Sequence, residues 1–325
     1  QELQALTELG KPVVTVSDEA LSQYLAKMPD SPFLTDYIAS QMIPVTSLMH
    51  VYAGCFTLSV RLTRATGTPV TYTAAAHDRR LSIEEHQRQQ RSFPYPHMTD
   101  MKLWKLYVSG YQEASLVICP SRRSAELMEM YGCKQVLIIP HGCEVPTEVP
   151  LLPDKFSVGY LGQSGPDKGL VYLIRAWNML PVYGTLFLAG FKPEHLAPID
   201  VNLSDRQITF LGFVDPVDQF WTNCSVYVQP SVTEGFGLSV LEAMARGRPV
   251  IVSEGAGAAE IVQDGVTGFV VPIRNPAAIA ERIEFFAVNP GKIAEMGAAG
   301  RESALNYTWD KVREMYKAVW KRVSK

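Results

Sequence analysis

The stretch that decides the fold is Glu234-Gly-Phe-Gly-Leu-Ser-Val-Leu-Glu-Ala-Met-Ala-Arg-Gly-Arg-Pro-Val-Ile-Val252. The residues before it, Ser225-Val-Tyr-Val-Gln-Pro230, are rich in β-branched and aromatic side chains and predict a short buried strand. Within it, the apolar spacing of residues 238–245 predicts a helix packed on a sheet, which Gly247 and Pro249 end. A strand followed by a glycine-containing turn and a helix is typical of an α/β fold.

The same stretch carries two carboxylates, Glu234 and Glu242, with two glycines between them. Glycines allow the backbone to pass close to a ligand and to direct amides toward it. The N-terminal end of the helix adds a positive partial charge, so the turn suits a diphosphate. Glu242 lies about one turn into the helix, where it can accept hydrogen bonds from sugar hydroxyls. Glu234 follows the strand, where ligands of open α/β sheets bind.

This segment resembles the Glu-x7-Glu signature of retaining glycosyltransferases of the GT-B fold, specifically family 4. The carboxylate spacing alone also fits a turn in an unrelated doubly wound protein. The Gly-Phe-Gly, Glu-Ala-Met-Ala and Gly-x-Pro-Val groups together are more specific. In the mechanism that the resemblance implies, the first part of the segment holds the donor sugar, the helix amides hold the diphosphate and the second carboxylate holds the ribose. The residues so implicated are Glu234, Gly235, Phe236, Gly237, Leu238, Ser239 and Glu242.

A second element begins with a predicted strand, Ser157-Val-Gly-Tyr-Leu-Gly162, and continues through Pro166-Asp-Lys-Gly169. It resembles the family's Gly-Arg-x4-Lys-Gly element, whose cations hold the donor diphosphate. Lys168 occupies the lysine position, and an ammonium group in a strand-to-helix loop is suited to phosphate. The arginine position is occupied by Gln163, which can donate a hydrogen bond but supplies neither a charge nor a bidentate fork. This departure leaves a catalytically silent nucleotide-sugar binder open as an alternative.

Two further positions are assigned from the resemblance. Val214 ends a Gly-Phe-Val turn that the family uses to contact the nucleotide base, so Val214 is predicted to lie beside the base. His77 follows a predicted strand, where the family carries a histidine over the donor sugar. The resemblance implies a catalytic role for His77 together with Glu234 and Lys168, and a structural histidine at a strand end is the alternative.

The remaining histidines show no pattern of metal ligands. His50 lies inside a predicted strand, and His86 and His97 lie in the polar stretch Arg79–Thr99, which predicts a solvated loop or helix. The sequence has no Asp-x-Asp cluster of the kind that would hold a metal beside a diphosphate. We therefore expect no metal site and no cofactor, with the nucleotide sugar acting as a substrate.

Strands alternate with helices in both halves, which predicts an α/β fold with parallel sheets. The resemblance to GT-B glycosyltransferases implies two Rossmann-like doubly wound domains facing a cleft. Prolines cluster at residues 144–153 and predict a stiff linker. The resemblance implies an acceptor-side domain at 1–150, a nucleotide-sugar domain at 151–306 and a C-terminal helix at 307–325 that crosses back to the first domain. Predicted strands are Gly10–Val16, Ser47–Gly54, Thr68–Thr73, Ala114–Cys119, Gln135–Ile139, Gly184–Gly190, Ile208–Val214 and Phe269–Val271.

The sequence begins at Gln1 within a predicted helix, so we expect it to lack the family's first strand and glycine-rich loop, either as a fragment of a longer gene product or because the protein has been trimmed. A sheet that lacks a central strand has unpaired edges. The expectation is reduced stability of this domain, or a replacement strand from a partner chain such as a second copy.

Composition excludes several other classes. Of the 325 residues, 47% are hydrophobic and 19% are charged, which supports two folded domains and excludes global disorder. The net charge is −3 with no long basic block, so no nucleic-acid partner is expected. Neither a signal peptide nor an apolar run long enough for a membrane span is evident. Five scattered cysteines fit reduced thiols in a cytoplasmic protein. Peripheral membrane contact through the basic C-terminal helix is the weaker alternative.

The resemblance therefore implies a retaining hexosyltransferase that uses a UDP- or GDP-linked sugar, and the lack of an Asp-x-Asp cluster implies that it needs no metal. The acceptor is a glycan, a lipid or a small molecule, and neither the base, the sugar nor the acceptor can be read from the motifs. Besides the silent binder, another GT-B enzyme such as an epimerase or a phosphorylase remains an alternative. A dinucleotide-dependent Rossmann enzyme is disfavoured because Gly-x-Gly-x-x-Gly is absent after the first predicted strand.

Overall fold

The computed structural model describes residues 49–52, 63, 65, 67–74, 78–89, 108–181, 183–196 and 207–323. Several sequence-based predictions lie outside these residues, namely the strand at residues 10–16, the expected absence of the family's first strand, and the roles of His77 and His97. The chain divides into two compact units. Of the described residues, the first unit contains 49–74, 108–140 and 310–323, and the second contains 78–89 and 141–309.

Strands and helices alternate along the described chain. In order they are β1 (Met49–Tyr52), β2 (Val70–Thr73), α1 (Arg79–Arg88), β3 (Leu116–Cys119), α2 (Arg122–Met130), β4 (Val136–Ile138), β5 (Ser157–Leu161), α3 (Leu170–Met179), β6 (Thr185–Ala189), β7 (Ile208–Gly212), α4 (Asp218–Trp221), β8 (Val226–Gln229), α5 (Leu238–Ala245), β9 (Val250–Ser253), β10 (Gly268–Val271), α6 (Pro276–Val288), α7 (Pro290–Ala304) and α8 (Trp309–Val323). Short 3-10 helices lie at Pro166–Lys168, Pro193–Leu196, Gly257–Ile261 and Leu305–Tyr307.

The first unit contains a parallel sheet in the order β1-β2-β3-β4. Its core includes Tyr72 of β2, whose ring packs edge-on against Tyr111 at a centroid distance of 4.5 Å. The C-terminal helix α8 belongs to this unit and buries Tyr316 and Trp320. The Tyr316 hydroxyl lies 3.1 Å from Thr73 Oγ1, which fixes the helix next to the end of β2.

The second unit contains a six-stranded parallel sheet in the order β10-β9-β8-β5-β6-β7. The chain adds β6 and β7 on one side of β5 and then returns to place β8, β9 and β10 on the other side. This reversal makes the sheet doubly wound, with its switch point between β5 and β8. In open α/β sheets ligands bind at the carboxyl ends of the strands at that point, so the loops after β5 and β8 position the candidate site.

Apolar side chains cover both faces of this sheet. One cluster includes Leu173, Ile174 and Ile283 from helices α3 and α6, and the other includes Trp221 and Met244 from α4 and α5. Burial of strands on both faces explains why β5, β8 and β9 are almost continuously apolar.

One buried cation holds the proline-rich segment that precedes β5. Arg248 is fully buried and its Nη2 donates to the backbone oxygens of Pro150 and Leu151 at 2.9 and 2.8 Å. The same atom lies 2.9 Å from the oxygen of Trp221, so one guanidinium joins the segment to helix α4. The motif analysis did not identify Arg248, because its partners are distant backbone groups.

The structure corrects the sequence-based predictions at two elements. After the predicted strand Ile208–Val214, the sequence predicts a helix over residues 215–222, whereas the observed helix is confined to Asp218–Trp221. The polar stretch from Arg79 was expected to be solvated, but α1 buries Glu85 completely and leaves His86 only 5% exposed. Long-range partners explain this burial, as shown below. The described cysteines, Cys119, Cys133, Cys143 and Cys224, are buried free thiols.

None of the helices described for this chain is both long and apolar enough to cross a bilayer.

Candidate functional site

The loops after β5 and β8 bring together Lys168 and Glu234, two of the three residues that are predicted to be catalytic. Lys168 Nζ donates to Glu234 Oε2, and the two side chains are 23% and 22% exposed. Lys168 lies on the 3-10 turn before α3, and Glu234 lies in the loop between β8 and α5. Partial burial reduces the screening of this ion pair by water, so the pairing holds the Lys168 ammonium group in place. Part of the Lys168 side chain nevertheless remains exposed to solvent.

The backbones of these two loops touch. Gly169 has a φ of +69°, and a Cβ at this position would lie 2.0 Å from the oxygen of Pro230. Val232 N and Thr233 N donate to the oxygen of Asp167 at 2.8 and 3.4 Å. Glycine is therefore required at 169 because both the left-handed conformation and the close approach exclude a side chain. The position of Lys168 follows from this contact.

A third loop, after β9, supports the Glu234 segment from the other side. Glu234 N donates to Gly255 O at 3.0 Å, and Gly257 N donates back to Glu234 O at 3.1 Å. The Glu234 Oε1 atom accepts from the Gly235 amide at 3.1 Å. Phe236 is buried, and its ring packs edge-on against His141 at 5.4 Å between centroids. Any ligand contact by Phe236 is therefore made through its backbone.

Helix α5 begins immediately after this loop. Gly237 precedes it with a φ of +101°, and no side chain caps the helix N-terminus. The first amides of a helix have no intrahelical acceptor, so those of Leu238 and Ser239 are suited to an anion. The Ser239 hydroxyl lies 2.7 Å from the Tyr227 hydroxyl and 3.1 Å from Gln229 Oε1. Because buried partners hold this hydroxyl, Ser239 would contact an anion through its amide.

Glu242 lies one turn into α5. Burial raises the pKa of its carboxyl, and the nearby Arg246 partly opposes this shift while Asp218 adds to it. Arg246 Nε donates to Asp218 Oδ1 at 2.6 Å, and the guanidinium lies 5.7 Å from the centroid of the Trp221 ring. A half-buried carboxyl without a direct bond to that guanidinium is suited to accept hydrogen bonds from neutral hydroxyls.

Two other predicted donor-binding residues, Gln163 and Val214, follow strands β5 and β7. Gln163 is exposed, and its backbone oxygen accepts a 2.6 Å bond from the Tyr160 hydroxyl. Val214 follows β7 and is partly buried against the core cluster around Phe220. Its neighbour Phe213 is 86% exposed. The structure therefore brings Lys168 and Glu234 into contact at the switch point, whereas it shows no contact of Gln163 or Val214 with that pair.

The remaining predictions concern His77 and metal ligands. His77 lies outside the described residues; its neighbour Asp78 donates its amide to Thr233 Oγ1 at 2.7 Å, next to Glu234. Within the part of the chain that the structure describes, no three His, Cys, Asp or Glu side chains are grouped as a metal site.

Comparison with known proteins identifies the family. Residues 155–288 match the family model described as glycosyl transferases group 1. The lipopolysaccharide core biosynthesis mannosyltransferase LpcC of Rhizobium leguminosarum bv. viciae is 30% identical over 242 residues, which cover 65% of this chain and 67% of LpcC. The chain belongs to the group 1 glycosyltransferase family. The matched region covers between 30% and 72% of the length of the curated relatives.

Solved structures of glycosyltransferases have the same fold. Sucrose-phosphate synthase from Thermosynechococcus elongatus gives a TM-score of 0.71 at 23% identity, covering 96% of this chain and 81% of that one. HepE from Anabaena, in complex with UDP and glucose, gives 0.69 at 19% identity, covering 89% and 82%. These neighbours confirm the predicted α/β GT-B fold class, and the family confirms a glycosyltransferase.

Proposed function

We propose that this glycosyltransferase moves a hexose from a UDP- or GDP-linked sugar to a glycan, lipid or small-molecule acceptor with retention of anomeric configuration. The observation that carries the proposal is the position of Lys168 at the switch point, where the loop after β8 leads into the uncapped end of α5. A cation and free helix amides together are suited to a diphosphate. The solved HepE complex contains UDP and glucose, which supports this donor class.

In this proposal Lys168 stabilises the departing diphosphate. As the bond from the sugar C1 to the diphosphate oxygen breaks, negative charge develops on the diphosphate. The Lys168 ammonium and the amides of Leu238 and Ser239 are held in place before the reaction, so little reorganisation is needed to stabilise that charge. The new bond forms from the acceptor oxygen to C1 on the same face, and the acceptor proton leaves with the diphosphate.

The two carboxylates have separate roles. Glu234 accepts from the hydroxyls of the donor sugar, and its pairing with Lys168 fixes its orientation. Glu242 accepts from the ribose hydroxyls one helical turn away. Neither carboxylate acts as a covalent nucleophile, and no cofactor or metal takes part. His77 contacts the sugar on the side of the developing oxocarbenium ion.

Replacement of Lys168 tests this proposal. We expect Lys168→Met to lower kcat for UDP- or GDP-sugar turnover roughly 100-fold, because a preorganised charge on the leaving group is lost. Lys192→Met is the matched control, since Lys192 is 71% exposed in the loop after β6. The assay is release of the nucleoside diphosphate, with anomeric configuration of the product read by NMR.

Three results would contradict the proposal. Equal kcat for Lys168→Met and Lys192→Met would remove Lys168 from the diphosphate site. A product of inverted anomeric configuration would contradict the proposed retaining mechanism. Activity that EDTA abolishes and Mg²⁺ restores would contradict the proposed independence from metal.

Gln163 supports a second candidate function, a nucleotide-sugar binder without turnover. Its exposed side chain stands at the position where the family has an arginine, so one positive charge on the diphosphate is missing. Tight binding of a nucleotide sugar with no product release, unchanged by Gln163→Arg, would favour this candidate. Turnover by the wild-type protein would exclude it.

A further inference from the structure

Helix α1 is polar in sequence, yet it is anchored by a buried carboxylate. The Glu85 side chain is fully buried, and its Oε1 accepts from the Tyr172 hydroxyl of α3 at 2.6 Å. Oε2 accepts from Arg274 Nε at 2.7 Å. Burial and the Glu85 contact raise the pKa of the Tyr172 hydroxyl, which is therefore a donor at neutral pH. A buried charge bound by two long-range donors fixes the helix on the second unit.

The backbone at Arg274 shows how closely this contact is specified. Arg274 follows β10 and has a φ of 57°, in the left-handed region that non-glycine residues rarely occupy. Its Nη1 also pairs with Glu84 at 3.3 Å, so the guanidinium binds two carboxylates of α1. The cost of this conformation is offset by the two ion pairs.

The two ends of α1 contact the two loops that carry the candidate catalytic pair. At the N-terminal end, the Asp78 amide donates to Thr233 Oγ1 at 2.7 Å, one residue before Glu234. At the C-terminal end, Gln89 Nε2 donates to Pro166 O at 3.3 Å, in the turn that carries Lys168. The same Gln89 nitrogen donates to Glu85 Oε1 at 2.8 Å, which links this end to the buried anchor.

We propose that α1 is a positioning element of the donor site, in which Glu85, bound by Tyr172 and Arg274, holds the helix so that its ends fix the loops of Lys168 and Glu234. These are positioning residues, because they act on the reaction through that pair. The proposal rests on the donor-site function argued above. In this proposal α1, a helix far from the two motifs in sequence, keeps Lys168 and Glu234 in the geometry that stabilises the leaving group.

Hydrogen exchange tests the proposal without a ligand. Glu85→Gln keeps the size of the side chain but removes the charge that binds Arg274. We expect amides in residues 162–172 and 230–236 to exchange about tenfold faster, because loss of the Arg274 ion pair loosens α1 and weakens the hydrogen bonds that its two ends make to these loops by roughly one hydrogen bond of stabilisation. Exchange in β6 and β9 should stay unchanged, because a positioning role is local. Glu284→Gln is the matched control, since its carboxylate also binds a tyrosine, Tyr183, at 2.8 Å.

A second variant covers the case in which Glu85→Gln fails to fold. Gln89→Ala removes the link to Pro166 and leaves the buried ion pair intact, so we expect faster exchange at residues 162–172 alone. Unchanged exchange in both loops would overturn the proposal. Equally faster exchange throughout the second unit would also overturn it, because Glu85 would then be a structural residue only.

Turnover provides the second readout. With UDP-glucose or GDP-mannose as the probe, we expect Glu85→Gln to lower kcat about tenfold with KM within about twofold, because Lys168 acts on the leaving group rather than on ground-state binding. A rise in KM with unchanged kcat would contradict the positioning role. If the wild-type protein turns over neither sugar, the proposed donor function fails, and the exchange experiment still decides whether α1 holds the two loops.

Discussion

The position of Glu242 could be predicted from the sequence, whereas the pKa of its carboxyl could not. The motif predicts its place one turn into a helix, and the structure places it there. The raised pKa could not be predicted, because it arises from burial in the folded chain and from Asp218 of α4, with the opposing effect of Arg246 too small to cancel them. Lys168 and Glu234 are a similar case, since the motifs name both residues but do not predict that they pair with each other.

The charge of Glu242 should reduce stability while it serves binding. A carboxyl whose pKa is raised in the folded state keeps its proton to higher pH than in the unfolded state. Stability therefore falls as pH rises from the unfolded value of 4.5 through the folded pKa. We expect Glu242→Gln to be more stable than wild type at pH 8 in urea unfolding, with the difference closing at pH 4. A difference that is constant with pH, or of opposite sign, would contradict this assignment.

At the scale of elements, strands with strong apolar patterns can be predicted from the sequence. The burial of an element cannot be predicted where it depends on partners that are distant in sequence. Strands β5 and β8 follow from their apolar runs, and the glycine-containing loops after them mark the switch point. Helix α1 could not be predicted as a buried element, because Glu85 and His86 read as surface residues. Only the tertiary partners of Glu85 explain its burial.

The contact between the two switch-point loops gives a test at this scale. Gly169→Ala should lower the free energy of unfolding by about 3 kcal/mol, because the new Cβ meets Pro230 O in addition to the cost of a left-handed backbone. Gly265→Ala is the control, since Gly265 has a φ of +74° with no atom within 4 Å of the added Cβ. We expect it to cost about 1 kcal/mol. Equal losses in urea unfolding would show that the loops do not approach as described.

At the scale of the whole molecule, the alternation of strands and helices predicts two α/β units, and the structure describes two with parallel sheets. The order of the strands was not readable from the sequence, because it depends on which strands pair. That order places Lys168 and Glu234 in the loops that follow the neighbouring strands β5 and β8, although the two residues are 66 positions apart. The family follows from the comparisons, whereas the nucleotide-sugar donor is our proposal, argued from the chemistry of the site.

The central claim is that this switch point binds a nucleotide-diphosphate sugar through Glu242 and the α5 end. Calorimetric titration of UDP- and GDP-sugars into the wild type, Glu242→Ala and Glu302→Ala tests it most directly, since Glu302 is an exposed glutamate on α7. We predict that one donor binds the wild type and Glu302→Ala equally and binds Glu242→Ala at least about tenfold more weakly. Equal affinity for all three proteins, or no binding of any donor to the wild type, would contradict the account.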